Sequence, residues 1–417
     1  MTRTRILHWC VPFVIATVAC SSGTSRPSEA GGQALDIGLT LESLTLPSPT
    51  GSAHPQLTSS PRGVILSWLE QNDATTTLRF AERTKAGWSE ARIAASGDGW
   101  FITSADVPSV LRLKDGTLVA DFYPTTDESI EAYDTRLSYS RDEGKTWSPP
   151  FSPHHDGTKT QHGFVSMLEL PGGGLGMVWL DGRDQELNTT DPLGGSMAIY
   201  FASFDSNWKQ SAERSVNARV CECCQTAVVA TTDGVLTAFR DRSAEEIRDI
   251  KVSRLDNGAW TKEQSVHDDN WKIDACPING PAMSANGRQV AAAWFAAPND
   301  NGRAYAAFSA DAGRSWSAPI RLDDDASLGR VDIELMDDGS AVASWVEFSN
   351  GASQFKARRV NASGARSAAV NVPGAGRVGG YPRMTRAGDE LIFAWTESEG
   401  GPQLKGAVAR ISRTTAP

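Results

Sequence analysis

The chain has 417 residues, of which 40% are hydrophobic and 22% charged, with 38 glycines and 13 tryptophans. This composition supports a large globular core and excludes a disordered or fibrous protein. The formal net charge of -10 disfavours nucleic acid and anionic lipid headgroups as partners.

Residues 1–19 have the pattern of an export signal. Arg3 and Arg5 precede the apolar run 6–18, which is too short to span a bilayer as a mature helix. A small residue and then Cys20 follow, and this arrangement resembles the bacterial lipoprotein signal, in which the cysteine becomes the lipidated first residue. An ordinary signal peptide cut nearby is the alternative. We expect an exported, lipid-anchored protein of the cell envelope, periplasmic or at the outer membrane, whose only membrane contact is the lipid.

Residues 20–60 are rich in Ser, Pro, Gly and Thr. Such a composition predicts a flexible tether after the lipidated cysteine. One part of it, residues 37–46, reads as a possible closing strand for the domain that follows. We place that domain at 61–417.

A repeated unit of short β-strands begins near residue 61. Its second strand is apolar and carries an aromatic residue at intervals of 50 to 60 positions: Trp68, Phe122, Trp179, Phe239, Trp294, Trp345 and Trp395. A period of this length with four strands per unit predicts an all-β fold, a β-propeller of four-stranded antiparallel blades. Seven blades are favoured and six are the alternative, because the last unit lacks an outer strand unless residues 37–46 supply it.

Two segments, 140–147 and 309–316, fit the pattern S-x-D-x-G-x-[ST]-W. In such a turn the aspartate accepts backbone N–H bonds, the glycine takes a left-handed conformation and the tryptophan packs on a blade. The residues concerned are Asp142, Gly144, Trp147, Asp311, Gly313 and Trp316. On these motifs the chain resembles the Asp-box (BNR-repeat) propellers, typified by bacterial sialidases and their non-enzymatic relatives, over about residues 60–412. The resemblance implies a sialidase-like fold, and we expect a monomer.

The innermost strand of each blade lines the central channel, so residues just before or at its start should converge at one end. Counted back from the turn that follows, the unit-by-unit candidates are Asp106, His162, Cys221, Cys223, Cys224, Cys276, Arg330, Tyr381 and Arg383. Cysteine, histidine and aspartate together are a ligand set for zinc or copper.

The segment RVCECCQTAV, residues 219–228, leaves three alternatives open. Cys276 forms a disulfide with one of its cysteines, or the thiols bind a metal with His162, or they are reactive thiols in an oxidising compartment. In an extended segment Cys221 and Cys223 share a face and Cys224 points away. At most two of the three would then reach one ion without a bend.

The sialidase resemblance also implies three arginines that hold the substrate carboxylate, a tyrosine nucleophile and an aspartate acid. In this chain Asp106-Val107-Pro108 stands where sialidases carry the first arginine, which predicts loss of that chemistry. Arg330 and Arg383 are the candidates for the other arginines, and Tyr381 for the nucleophile.

Two charged segments are best explained by structural rather than catalytic roles. Arg240, Arg242 and Arg248 with Glu245 and Glu246 predict a solvated, self-neutralising loop. The second segment contains three acids, Asp181, Asp184 and Glu186. Two of them could act as the acid and the nucleophile of a glycosidase, but they are better explained as residues that cap turns.

The leading hypothesis is a binding module whose axial Cys/His/Asp site holds a metal ion. The alternative is an exo-sialidase-type glycoside hydrolase or another glycan-active enzyme, and the third is an envelope scaffold with structural disulfides only. The partner is accordingly a glycan, a metal ion or an envelope protein, and whether the protein is an enzyme stays open.

Overall fold

The computed structural model describes residues 39–185 and 197–411. They form an all-β propeller of seven antiparallel blades. The helices described are two single 3-10 turns, Glu128–Ile130 and Pro298–Asp300. Within these ranges no helix has the length and apolarity needed to cross a membrane.

Each blade runs from an innermost strand at the channel to an outer strand, and blade 2 also carries the small hairpin of β9 and β10. Blades 1 and 2 contain β2 (Ser52–Ser60), β3 (Gly63–Asn72), β4 (Thr75–Thr84), β5 (Gly87–Trp88), β6 (Arg92–Asp98), β7 (Val110–Arg112), β8 (Leu118–Phe122), β9 (Thr125–Asp127), β10 (Ala132–Tyr133) and β11 (Arg136–Ser140). Blades 3 and 4 contain β12 (His162–Glu169), β13 (Leu175–Asp181), β14 (Met197–Phe204), β15 (Arg214–Val220), β16 (Ala227–Thr231), β17 (Gly234–Arg240), β18 (Ile250–Asp256), β19 (Ala259–Trp260) and β20 (Gln264–Ser265). Blades 5 to 7 contain β21 (Ala282–Asn286), β22 (Gln289–Ala296), β23 (Arg303–Ser309), β24 (Ile320–Arg321), β25 (Ala326–Leu335), β26 (Ala341–Ser349), β27 (Ala352–Val360), β28 (Val370–Asn371), β29 (Val378–Ala387), β30 (Glu390–Glu397) and β31 (Gln403–Arg410).

The ring closes through β1 (Leu41–Leu44), which pairs antiparallel with β31 as the outer strand of blade 7. This strand lies within the segment 37–46 that the sequence suggested for closure. The innermost strand of blade 1, β2, also precedes residue 61, where we had placed the start of the domain. Its sequence SAHPQLTSS is polar because it borders the channel rather than the core, so composition alone made it resemble a tether.

The core is divided into seven apolar clusters, one between each pair of neighbouring blades. In β26, Ala343 and Trp345 face blade 5, whereas Val342 and Val346 face blade 7. The second strand of a blade is therefore buried on both faces, which is why its sequence is an unbroken apolar run.

Three of the five second-strand tryptophans also bond to acids two residues later. The indole nitrogens of Trp68, Trp179 and Trp345 lie 2.9, 2.7 and 2.8 Å from carboxylate oxygens of Glu70, Asp181 and Glu347. The bond satisfies a buried N–H group where the strand leaves the core.

The two S-x-D-x-G-x-[ST]-W turns have matching hydrogen bonds. Asp142 accepts from the backbone and hydroxyl of Thr146 at 2.9 and 2.7 Å, and Asp311 accepts from Ser315 at 2.8 and 2.6 Å. These bonds lower the pKa of Asp311 to about 2, against burial, and that of Asp142 to about 2. Each turn packs on the preceding blade, where Trp147 meets Phe80 edge-on.

Candidate functional site

Most of the predicted site residues lie at the end of the propeller where innermost strands begin and second strands end, hereafter the entry end; Arg330 and Arg383 lie farther along their innermost strands. His162 opens β12, while Asp181 closes the neighbouring β13. Cys221–Cys224 precede β16, and Cys276 precedes β21. Antiparallel pairing thus brings residues that are distant in sequence to one end of the propeller, as predicted by counting back from the turn in each unit.

The cysteine cluster, Cys221, Cys223 and Cys224, is built on a turn rather than an extended segment. The Cys221 sulfur lies 3.3 Å from that of Cys224 and 3.8 Å from that of Cys223. All three sulfurs fall within 4.8 Å of one another. The expectation that only two reach one point assumed extended backbone; the turn supplies the bend and brings in the third. None of the four cysteines in the described ranges forms a disulfide.

The surroundings of the cluster favour a thiolate. Burial opposes ionisation of Cys221, but the thiols of Cys223 and Cys224 and the charge of Arg248 lower its pKa well below the usual value. The Arg248 guanidinium donates to the Cys221 sulfur at 3.2 Å. Cys276 is exposed and interacts with Cys223, which lowers the pKa of Cys276.

The arginine loop beside the cluster is buried, contrary to the predicted solvated loop. Arg242 and Arg248 are 3% and 0% exposed and pair with Glu222 and Glu246. Arg240 donates to three backbone carbonyls, including that of Asn279 at 2.8 Å. The loop is self-neutralising as expected, but packing against the cysteine turn removes it from water.

His162 belongs to a second group, the histidine cluster, which consists of Asp134, His154, Asp156, His162 and Asp181. The rings of His154 and His162 stack in parallel with centroids 3.8 Å apart. Burial and, second, the neighbouring His162 lower the pKa of His154 to about 4. For His162 burial acts the same way, but Asp156 and Asp181 outweigh it and raise the pKa. The sequence pointed to His162 alone and missed its partners.

Asp106 joins blade 2 to blade 3 through hydrogen bonds. It is 1% exposed and accepts from the backbone N–H of Phe164 at 2.8 Å and from the Tyr133 hydroxyl at 2.9 Å. Equivalent bonds run from blade 4 to 5, where Gln225 accepts from Gly280, and from blade 5 to 6, where the Asn279 side chain accepts from Arg330. The carboxylate at the sialidase arginine position thus fills a repeated structural role.

Tyr381 is buried beside Cys224, and the Arg383 guanidinium lies 5.7 Å from the centre of its ring. Burial, and the nearby Cys224, raise the pKa of this phenol, which weighs against its use as an ionised nucleophile. Arg330 donates to the Val378 carbonyl at 3.1 Å, so its guanidinium joins blades 6 and 7.

A cavity of about 650 Å³ occupies the channel beyond the entry end and touches all seven innermost strands. Of the predicted site residues that the structure describes, Arg383 lines it. Asp332 and Glu334 project into it from one face of β25, and the sequence reasoning missed both. Burial raises the pKa of Asp332 to about 6 and that of Glu334 to about 7.

Asp181, the last residue of β13, has a structural role. Asp181 is fully buried and accepts from Trp179 and, at 2.7 Å, from Arg183. This agrees with a structural rather than a catalytic interpretation. Glu186 lies outside the described residues.

No protein-family model matches the chain, and no curated protein matches it. Among solved structures, a protein of unknown function from Dyadobacter fermentans is 15% identical with a TM-score of 0.51, over 87% of this chain and 95% of that one. The polysaccharide lyase Uly1 is 10% identical with a TM-score of 0.54, over 93% and 94% of the two chains. The NanB sialidase from Streptococcus pneumoniae is 12% identical with a TM-score of 0.46, over 84% and 83%. At these identities the similarity concerns the fold alone, and the chain shares the propeller fold of Uly1 and of the Dyadobacter protein.

Proposed function

We propose that this protein is an exported, lipid-anchored binding module that holds a soft or borderline metal ion, zinc or copper, in the cysteine cluster. The observation that carries the proposal is the convergence of three sulfurs within 4.8 Å of one another with none in a disulfide. Thiolates are the preferred ligands of such ions.

The spacing of the sulfurs fits a tetrahedral ion. Metal–sulfur bonds of about 2.3 Å place two ligands of a tetrahedron roughly 3.8 Å apart. The separations from Cys221 are 3.3 and 3.8 Å, so binding needs shifts of about half an ångström. Cys276, through its interaction with Cys223, is the candidate fourth ligand.

The charge around the cluster supports the same ion. Three or four thiolates around a divalent cation leave net negative charge, and Arg248 donates to the Cys221 sulfur to offset it. The backbone N–H of Asn279 points to the Cys224 sulfur at 3.4 Å. Hydrogen bonds of this kind orient a thiolate ligand and stabilise its charge.

The test is elemental analysis with thiol titration on the protein purified without chelator. We expect bound zinc or copper and thiols that react only after chelation. Cys223→Ser should lose the ion while circular dichroism shows an intact fold, and Cys276→Ser tells three sulfur ligands from four. Full oxidation of these cysteines in a metal-free, folded protein would overturn the proposal and favour the scaffold with disulfides.

A second candidate function, cleavage of a glycan, is favoured by the channel cavity. Asp332 and Glu334 stand two residues apart on one strand face, and their raised pKa values would let one carboxyl act as an acid near neutral pH. Arg383 beside them is able to bind an anionic sugar. Turnover of a fluorogenic sialoside or other glycoside that is abolished by Glu334→Gln would support this function, and its absence across a glycan panel would count against it.

A further inference from the structure

The histidine cluster is a second metal centre: we infer that Asp134 Oδ1, His154 Nε2 and His162 Nδ1 bind a divalent cation between blades 2 and 3. The site is separate from the cysteine cluster, and its ligands are two imidazoles and one carboxylate. This set suits zinc or another first-row divalent ion.

Asp156 determines which nitrogens face the ion. Its Oδ2 atom hydrogen-bonds with His154 Nδ1 at 3.2 Å and also lies 3.2 Å from His162 Nε2, which makes no hydrogen bond. A carboxylate that accepts from one ring nitrogen leaves the lone pair on the other. The lone pair of His154 therefore lies on Nε2. For His162, the charge of Asp156 beside Nε2 favours the proton on that nitrogen and the lone pair on Nδ1. Both lone-pair atoms lie 3.7 Å from Asp134 Oδ1.

With both imidazoles neutral, three acceptor atoms converge with no donor among them. His154 Nε2 and His162 Nδ1 are buried and make no hydrogen bond, and the residues are 7% and 0% exposed. Asp134 Oδ2 accepts from Arg136 at 2.8 Å, which leaves Oδ1 directed at the two nitrogens. Buried acceptors that face one another are unfavourable unless a cation lies between them.

The net negative charge of the surrounding groups also favours a divalent cation. Four carboxylates, those of Asp134, Asp156, Asp181 and Glu213, meet two guanidiniums, those of Arg136 and Arg183. A divalent cation neutralises the difference of two charges. Protonating His162 alone would supply only one of these two charges, and protonating both imidazoles would set two cations face to face at a ring distance of 3.8 Å.

The distances fit an ion after a small contraction. Ligands at about 2.1 Å from a metal stand roughly 3 to 3.5 Å apart in octahedral or tetrahedral geometry. The two measured separations of 3.7 Å need to shorten by a few tenths of an ångström. The ligands come from the start of blade 3, the link between β10 and β11 in blade 2, and the loop that joins the two blades, so the ion would tie these blades together.

The test compares two neighbouring histidines. His155 is a matched control because its side chain is 65% exposed and pairs with Glu213 outside the proposed ligand set. In a Cys221→Ser/Cys223→Ser/Cys224→Ser background, we expect one equivalent of zinc and a zinc-dependent rise in melting temperature. Both should vanish with His154→Ala and persist with His155→Ala. Asp156→Asn, which removes the orienting carboxylate, should weaken zinc binding roughly 10- to 100-fold.

A second measurement covers the case in which the triple variant does not fold. Cobalt added to the otherwise unsubstituted protein should give thiolate charge-transfer bands from the cysteine cluster and separate visible bands from a nitrogen and oxygen site. His154→Ala should remove only the latter. Equal metal content and equal cobalt spectra in His154→Ala and His155→Ala would overturn the inference and leave the cysteine proposal intact. If the otherwise unsubstituted protein lacks only the thiolate bands, the cysteine proposal is overturned and this inference stands.

Discussion

Replacing Asp106 by asparagine should make the stability of the protein less dependent on pH. The side chain joins blade 2 to blade 3 by accepting from Phe164 and Tyr133. An amide can keep both bonds, since its oxygen accepts from the backbone and its nitrogen donates to the phenol oxygen. Asn279 and Gln225 already hold the equivalent position in other blades.

The magnitude follows from burial of the carboxyl. Burial raises the pKa of Asp106 from 3.8 to about 7, although its two hydrogen bonds act in the opposite direction. Because the folded protein holds this proton more tightly than the unfolded chain, the stabilisation is complete below pH 3.8 and is lost as the pH rises to about 7. From pH 5 to 8 the loss spans about two units, or about 3 kcal/mol at about 1.4 kcal/mol per unit.

Urea unfolding at pH 5 and pH 8, with chelator in both buffers, measures this difference. The unsubstituted protein should lose about 3 kcal/mol more than Asp106→Asn between the two conditions. Asp142→Asn is the control, because the pKa of Asp142 is about 2 and its effect should be equal at both. Parallel pH dependence in the unsubstituted protein and Asp106→Asn would refute the reasoning.

Three further outcomes are expected. Gly313→Ala should lose about 1 to 3 kcal/mol more stability in urea than Gly364→Ala, because both have positive φ but only at Gly313 does a Cβ approach a leucine at 2.8 Å; equal losses would contradict this packing argument. Trp345→Phe should cost about 2 to 4 kcal/mol, because it shrinks a fully buried ring and removes one of the donors to the buried Glu347 carboxylate. The loss should exceed that of Trp260→Phe, whose indole nitrogen makes no hydrogen bond. Cys20→Ser should move the protein from the membrane to the soluble fraction on cell fractionation, and retention in the membrane would count against the lipid anchor.

The blade count was predictable because every second strand is buried between two neighbours. That burial demands an apolar run in each unit, and the fully buried Trp179 and Trp345 mark it clearly. The innermost strand β2 was not predictable in the same way. It borders the channel, so the polar residues of Ser52–Ser60 carry no core signal.

The two clusters show why a site is harder to predict than a fold. Counting from the turns placed Cys221–Cys224 at the entry end, but not the turn that gathers their sulfurs. His154 and Asp156 lie in the loop between blades 2 and 3, where unit alignment has no counterpart to compare. The one signal was compositional: the run PHHDGT, residues 153–158, is a short histidine-rich tract of the kind that binds metals.

The position of Asp106 changes how an acid is understood where the sequence resemblance implied an arginine. From the sequence, an acid in place of the arginine suggests a binding site with its charge reversed. In the structure Asp106 is closed off from ligand, and amides take the same blade-to-blade bond at Gln225 and Asn279. The candidate ligand groups at the entry end instead lie in the loops that connect blades, which hold Cys221–Cys224 and His154. Because loops vary without disturbing the cores between blades, a propeller is able to carry thiol and imidazole clusters at this end without loss of packing.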